Sequence, residues 1–525
     1  MRFRNILLDF GEKYTPFRIL FLMDLALYAI AIPFSKFLMT LAGLILVGNW
    51  FLEGFFERNL WKKFAQAAKS KIILAMLLIF FVHLLWFIPT ENFAVAFREI
   101  LTKTPLFFFP IIFYTSKPLN RNEINSLLSI YVLGVLFSSL FGFFSCLQQE
   151  LSDMRKMAVY ISYVRFELNV CFAIFVSLYL LLQKNRWGYA KSALLLPLVW
   201  FLFLQLYAGF MTGIILLIII TFVFILKAAF LQKRRIIRYG LFGLFLAVFG
   251  GISLFIYIRA KNYFTVPPFD STATRYTADG NPYNADFDRH YIENGNYIFA
   301  YICEQELEQA WNKRSQIDYN ELSNTLIRYL NSKGLHKDRI SVEALTEEEI
   351  ANIENGIANI AYTHDFSVVK RIYELFWEIN AYRQTGAVVG GSLSQRLELW
   401  QVSFSAIKKH PLFGVGTGDA RAVFAKELEE QNSPLAFSDK RSHNQYLTFW
   451  IAFGIVGLCL ILFSLFYPVI ALKKLQEPLF LAFFLIIILS LFTEDGLEQQ
   501  DGMTLFAFFY SLFLFWLPKN DPLSP

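Results

Sequence analysis

Apolar runs of roughly twenty residues recur along almost the whole chain, and no other feature limits the fold so strongly. Crossing the hydrocarbon layer of a bilayer takes a helix of about that length. About twelve such runs are legible, near 17–34, 37–56, 71–89, 99–116, 124–147, 166–183, 191–207, 209–230, 238–258, 444–471, 477–493 and 502–518. The fourth is the weakest: it opens on Arg98 and Lys103 and contains Pro105 and Pro110. A tight turn at Gly209 is all that separates the seventh from the eighth. Hydrophobic residues make up 56% of the chain, charged residues 17%, and 59 residues are phenylalanine. A soluble core has no use for that much apolar surface. The fold expected is an all-α polytopic membrane protein lodged in a lipid bilayer.

Orientation follows from the basic residues. Lys and Arg gather in the N-terminal stretch (Arg2, Arg4, Lys13, Arg18), in Arg58 to Lys71, at Lys117 and Arg121, in Lys184 to Lys191, in Lys227 to Arg238, and at Lys473 and Lys474. Cytoplasmic loops carry this excess, so both termini are expected in the cytoplasm. The segments left facing outward are 148–165, 259–443 and 494–501. The net charge of +6 is modest and confined to short loops, which does not suggest nucleic acid. Four cysteines are too few for a disulfide framework. Spans 1–9 thus occupy 1–258, an outer domain 259–443, and spans 10–12 occupy 444–525. The outer domain opens irregularly and then reads as helices: Asn296 to Arg314, Asn320 to Ser332, one opening at Thr346 with Glu349 as its capping-box partner, Phe366 to Tyr382, and Leu393 to Lys409 after Gly386, Gly390 and Gly391.

The densest chemistry lies in 391–457. Arg396-x-x-x-Trp400 is followed by Pro411-x-x-Gly414-x-Gly416-x-Gly418, and then by Arg441-Ser442-His443-Asn444 at the head of an apolar helix. This order resembles the O-antigen ligase/polymerase family, and the pattern of about twelve spans with one large outer loop extends the resemblance over most of the chain. The stretches Glu293 to Tyr297 and Tyr329 to Asp338 are similar to members whose outer loop is enlarged.

The resemblance implies a bacterial inner-membrane enzyme that moves a glycan from undecaprenyl diphosphate to an acceptor sugar, such as lipid A–core, without metal or cofactor. It implies that two arginines and one histidine at the outer face carry the reaction. Arg396 and His443 match two of them, and Arg165, at the outer end of the sixth run, occupies the place of the third. The chemistry of these side chains agrees. An arginine fork stays charged and binds a diphosphate bidentately, and a histidine can take the proton of an attacking hydroxyl. Direct deprotonation of the acceptor would invert the anomeric carbon. Each residue also has a plainer use: Arg165 can snorkel to the interface, Arg396 can be solvated or paired with Glu398, and Asn444 can cap the helix that follows His443.

Other groups near this region leave alternatives open. The amides of Gly414, Gly416 and Gly418 can form an anion nest, or the run can simply be a tight turn. Arg441 can add charge at the same mouth. Glu494, Asp495, Glu498 and Asp501 can orient an arginine, bind acceptor hydroxyls or hold a metal. His83 reads as a satisfied interior residue, and His290, His336 and His364 lack metal-ligand spacing. Many family members carry an arginine where this chain has Met211. Polymerases and protein O-glycosylating enzymes share the same arginines and histidine. A transporter is the reading from a different class, against which stand the absence of paired broken helices and the large outer domain.

Overall fold

The computed structural model describes residues 15–149, 154–183, 192–266, 275–284, 291–363, 367–386, 388, 392–438 and 440–517. The N-terminal basic residues before Thr15, Lys184 to Lys191, His290, His364, Gly390 and Gly391 lie outside these ranges. The chain forms two compact units: residues 1–220 with 398–525, and residues 221–397.

The first unit begins with α1 (Pro16–Ala31), α2 (Lys36–Phe56), α3 (Leu60–Lys69), α4 (Lys71–Leu85), α5 (Phe93–Thr102), α6 (Thr104–Thr115), α7 (Arg121–Gln148), α8 (Tyr163–Leu182) and α9 (Leu195–Tyr207). Helix α10 (Met211–Leu231) runs from the first unit into the second. There follow α11 (Arg235–Phe264), the short hairpin β1 (Ile292–Glu293) and β2 (Asn296–Tyr297), α12 (Glu304–Arg314), α13 (Tyr319–Ser332), α14 (Arg339–Glu343), α15 (Glu347–Glu354) and α16 (Ser367–Thr385). Helix α17 (Ser392–Lys409) leads back to the first unit, completed by α18 (Ala420–Glu430), α19 (Gln445–Ala471), α20 (Pro478–Ser490) and α21 (Gln500–Phe515).

This is an all-α membrane protein. Among the described residues, six single helices are long and apolar enough to cross a bilayer: α2, α7, α8, α10, α11 and α19. The pair α3 and α4, bent by 92°, makes up to a seventh. The remaining expected runs form helices that are too short for that measure. The fourth divides at Lys103 into α5 and α6, with Pro105 in the first turn of α6. The run near 191–207 yields the 13 residues of α9 and the run near 477–493 the 13 of α20.

Local signals account for the boundaries. Thr15 caps α1 ahead of Pro16, Ser70 caps α4 at the bend from α3, and Asn120 with Glu123 forms a capping box on α7. Glu123 also pairs with Arg18 at 3.1 Å, fastening α7 to α1. Helix α19 is broken at Gly454, whose φ of 63° is open to glycine but costly for other residues. The break leaves backbone groups that must find partners within a membrane. Val415 and Gly416 N–H donate to Ile451 and Ala452 C=O, while Ile455 and Val456 N–H donate to Pro411 and Leu412 C=O. The segment after α17 therefore completes the hydrogen bonding of the broken span. For this reason residues 398–443 group with the first unit, and the compact units divide at 220 and 397.

In the second unit, Trp311, Leu326, Leu330, Val342 and Ile353 form a buried core. Tyr263, at the end of α11, packs against Tyr373 and Phe376 of α16. The capping box at Thr346 and Glu349 opens α15 as its sequence suggests. The stretches 293–297 and 329–338 meet here. Asn331 donates to Glu293 C=O at 3.0 Å, and Lys337 Nζ donates to Tyr297 C=O, Ala300 C=O and Asn331 Oδ1 at 3.3, 3.1 and 2.8 Å.

Candidate active site

Polar side chains of the first unit converge on the acidic turn between α20 and α21. Glu494 Oε2 lies 3.4 Å from Arg165 Nη1 and 3.6 Å from His443 Nδ1, so one carboxylate joins two of the expected reactive residues. Arg165 Nη2 also donates to Asp495 C=O at 3.1 Å. The arginine is buried and its Nε has no hydrogen-bond partner. It is held from behind by its own helix. Asn169, one turn along α8, donates to the Arg165 carbonyl at 2.8 Å and accepts from Tyr131 Oη at 2.8 Å. Gly502 faces the same guanidinium. A Cβ there would lie 3.1 Å from Arg165 Nε and only 2.1 Å from Gly496 C=O.

His443 stands at the turn before α19 with φ of 47°, a left-handed conformation uncommon for a residue with a side chain. Asp495 holds that turn: its carboxylate accepts from His443 N–H at 3.0 Å, Thr448 Oγ1 at 2.7 Å and Ser442 Oγ at 3.3 Å. Burial pushes the Asp495 carboxyl up, while the Thr448 hydrogen bond opposes the shift. Asn444 is the N-cap of α19, with Oδ1 accepting from Tyr446 and Leu447 N–H at 3.0 and 3.2 Å. His443 is thus fixed between an acidic turn and a capped helix, its imidazole half-buried.

A second set of contacts pins the acidic turn. Lys103, fully buried at the α5–α6 break, donates to Leu497 C=O at 2.6 Å and to Glu498 at 3.0 Å. Gln445 donates to Glu498 at 2.7 Å and accepts from Leu497 N–H at 2.7 Å. Arg441 lies 3.6 Å from Glu99 and 3.8 Å from Glu498. Burial would raise the Glu498 carboxyl, but the Lys103 and Arg441 charges outweigh it and hold the group well below the usual range. Lys103, Gln445 and Glu99 were not among the residues expected at the site. The available signal was Lys103 itself, a charge inside an apolar run, which is costly unless paired. Asp501, at the start of α21, accepts from Ser162 N–H at 3.2 Å and faces Lys36 at 3.6 Å.

The glycine run lies close against other backbone. All five N–H groups from Gly414 to Gly418 are engaged within the fold: with His410, Ile451, Ala452 and Trp86 carbonyls and with Thr90 Oγ1. A Cβ on Gly414 would meet Ala452 C=O at 2.4 Å. This is the geometry of a tight, closely packed turn, and it leaves no amide of the run for an anion nest. Asp419 then accepts from Glu91 and Asn92 N–H at 2.7 and 3.0 Å, just ahead of α5. Arg396 belongs to the part of α17 within the second unit and is half-buried. Met211 opens α10, where Gly213 N–H donates to the buried Glu167 carboxylate at 2.5 Å. Among the described residues, no group of three or more His, Cys, Asp or Glu is arranged to hold a metal ion.

Fold and site together define a multi-pass membrane protein with a histidine–carboxylate–arginine cluster held on a rigid acidic turn. Residues 360–462 match the O-antigen ligase family model, a stretch that contains Arg396, the glycine run, Arg441, His443 and the first part of α19. Over this stretch the chain is similar to the O-antigen ligase family. An uncharacterized protein of Haemophilus influenzae is 26% identical over 121 residues, which are 23% of this chain and 30% of that protein. The match therefore spans less than a third of that relative.

Proposed function

We propose that this protein is a bacterial inner-membrane glycosyltransferase of the O-antigen ligase type. It moves a glycan from undecaprenyl diphosphate to a sugar of lipid A–core at the outer face of the membrane, needs no metal, and inverts the anomeric carbon. The observation that carries this reading is Glu494 lying between Arg165 and His443.

With Nδ1 facing Glu494, His443 is oriented to use Nε2 as the base, and the carboxylate steadies the imidazolium that forms. The acceptor oxygen attacks the anomeric carbon and gives its proton to His443. The bond from that carbon to the diphosphate oxygen breaks, and its electron pair leaves with the diphosphate. Arg165, whose Nε has no other partner, stabilises that developing charge. Arg396 is assigned the same task on the strength of the Arg-x-x-x-Trp motif, and Arg441 adds positive charge. In this scheme Asn444 and Asp495 shape the turn that carries His443, and the glycines pack against the broken span of α19 and do not bind substrate themselves.

The test is reconstitution in nanodiscs with an undecaprenyl-diphosphate glycan, EDTA, and in turn a lipid A–core, a free glycan and a serine-bearing peptide. Transfer to lipid A–core is expected. Elongation of the glycan would make the protein a polymerase, labelling of the peptide a protein O-glycosylating enzyme, and no transfer to any acceptor would overturn the reading.

A further inference from the structure

A cavity of about 550 Å³ opens in the first unit where α19 and α21 end, at the far ends of both helices from His443 and the acidic turn. Its volume lies within the range of roughly 300–1,000 Å³ usual for small-molecule sites. Pro118 forms one wall, Ala471 to Lys474 a second and Leu514 to Leu517 a third. Lys474 is buried in that lining, and its Nζ donates to Leu517 C=O at 3.0 Å, which joins the two helix ends. Lys473 beside it is exposed, in a left-handed conformation with φ of 54°. Trp516 packs its ring against Phe21 and Phe113, with centroids 5.9 and 4.7 Å away. Among the described residues, neither the Lys473 ammonium nor the Trp516 indole N–H has a hydrogen-bond or ion-pair partner. At the Pro118 wall, Arg18 donates to the Lys117 and Pro118 carbonyls at 2.7 and 3.2 Å. None of these groups takes part in the proposed transfer.

We propose that this cavity binds an anionic phospholipid, with Lys473 and the Trp516 N–H on its phosphodiester and Leu472, Leu514 and Phe515 along an acyl chain. Charge selects the head. Arg18, Lys117, Lys473 and Lys474 lie in or beside the lining, against the carboxylates of Glu123 and Glu477, and Glu123 is taken up by Arg18. The carbonyl ends of α19 and α21 disfavour an anion, and Lys474 offsets the second of them through Leu517 C=O. A basic pocket between the ends of membrane helices is the setting in which anionic headgroups are held. The apolar share of the lining separates a lipid from a soluble phosphate. Ile470 and Leu475, which flank the 471–474 wall, are exposed and continue that apolar surface. Lysine and arginine mark this end of the helices as the expected cytoplasmic side, so the lipid belongs to the leaflet opposite the reacting cluster. The site does not depend on the glycan-transfer reading.

The experiment is native mass spectrometry of the full chain in detergent, titrated with dioleoylphosphatidylglycerol, with dioleoylphosphatidylcholine, and with glycerol 3-phosphate as the soluble phosphate. Wild type is compared with Lys473→Gln, with Lys473→Gln/Trp516→Phe, and with Lys62→Gln/Lys69→Gln, which neutralises two exposed, unpaired lysines of α3. Melting temperature confirms that each variant is folded. Wild type is expected to bind phosphatidylglycerol about ten-fold or more tighter than phosphatidylcholine. Lys473→Gln should cut that preference about five-fold, the double variant at the cavity should abolish it, and the α3 variant should keep it. Equal affinity for the two lipids in wild type, or an undiminished preference in the folded Lys473 variants, overturns the site. So does an equal loss in the α3 variant, which would make the preference a property of overall charge. Glycerol 3-phosphate that displaces the lipid at equal concentration would assign the cavity to a soluble phosphate and overturn the lipid.

Discussion

The two compact units both bury charge, but they treat it differently. In the second unit the buried charges of Glu293 and Lys337 are saturated. Glu293 receives a bidentate pair from Arg328 at 2.9 and 2.9 Å and a further bond from Asn359 at 2.7 Å, and Arg328 lies 3.7 Å over the Trp377 ring. Lys337 has three acceptors. In the first unit the charges around the acidic turn sit at 3.4 to 3.8 Å from several of their partners, and Arg165 Nε, Glu99 Oε2 and His83 Nε2 are left without hydrogen bonds. A saturated network holds structure, because every member already has what it needs. Polar groups that are buried but incompletely satisfied are the ones with capacity left for a substrate. Burial of charge alone does not mark a site; around the acidic turn it is joined by incomplete hydrogen bonding at Arg165, Glu99 and His83.

That contrast can be broken by mutation. Arg165→Ala is expected to lower kcat for glycan transfer by about 10²–10³ with little change in melting temperature; a large loss of stability with activity per folded molecule intact would make Arg165 structural. Arg328→Ala should do the reverse. It leaves Glu293 buried and unpaired, which costs about 3–5 kcal/mol, read as a lowered denaturation midpoint of the second unit. Activity loss without destabilisation there would collapse the distinction between the networks.

Two smaller effects sharpen it. Gly454→Ala puts a Cβ 2.1 Å from Leu412 C=O at a left-handed backbone position, and should destabilise the protein by on the order of 2 kcal/mol. An unchanged melting curve would mean that the pairing of α19 with 411–416 is loose. Lys337 gives the mildest test. Burial lowers its ammonium from 10.5 to about 7. The unfolded chain therefore binds more protons between those values, and the contribution of Lys337 to stability rises as pH goes from about 7 toward 10. Lys337→Met should lack that slope, so the difference in melting temperature between wild type and variant should grow in favour of wild type as pH rises from about 7 toward 10; a difference that does not vary with pH would contradict it.

Much of this was legible in the sequence, for identifiable reasons. Long apolar runs define a helical membrane fold because a bilayer leaves little choice, and the O-antigen ligase segment was visible in the spacing of Arg396, the glycines and His443. Arg165 could be matched to a place at a helix end, and the carboxylates at 494 and 495 were suspected of orienting an arginine. What stayed hidden depends on contacts distant in sequence. Nothing local marks Lys103 as the partner of Glu498, or Glu99 as a neighbour of Arg441, because those pairs meet only when α5 folds against the acidic turn. The break at Gly454 was equally concealed, since a glycine in an apolar run reads the same in an intact span. The short helices α9 and α20 show a further limit: hydropathy measures apolar length, whereas helix length depends on where caps and turns fall.

The most direct test of the account is single-turnover transfer by His443→Ala against wild type, with both proteins matched for folded fraction and loaded with saturating undecaprenyl-diphosphate glycan. A fall in the transfer rate by about 10²–10⁴, with donor binding retained, is the predicted result. Transfer at the wild-type rate by the folded variant would contradict the claim that the His443–Glu494–Arg165 cluster is the reacting centre.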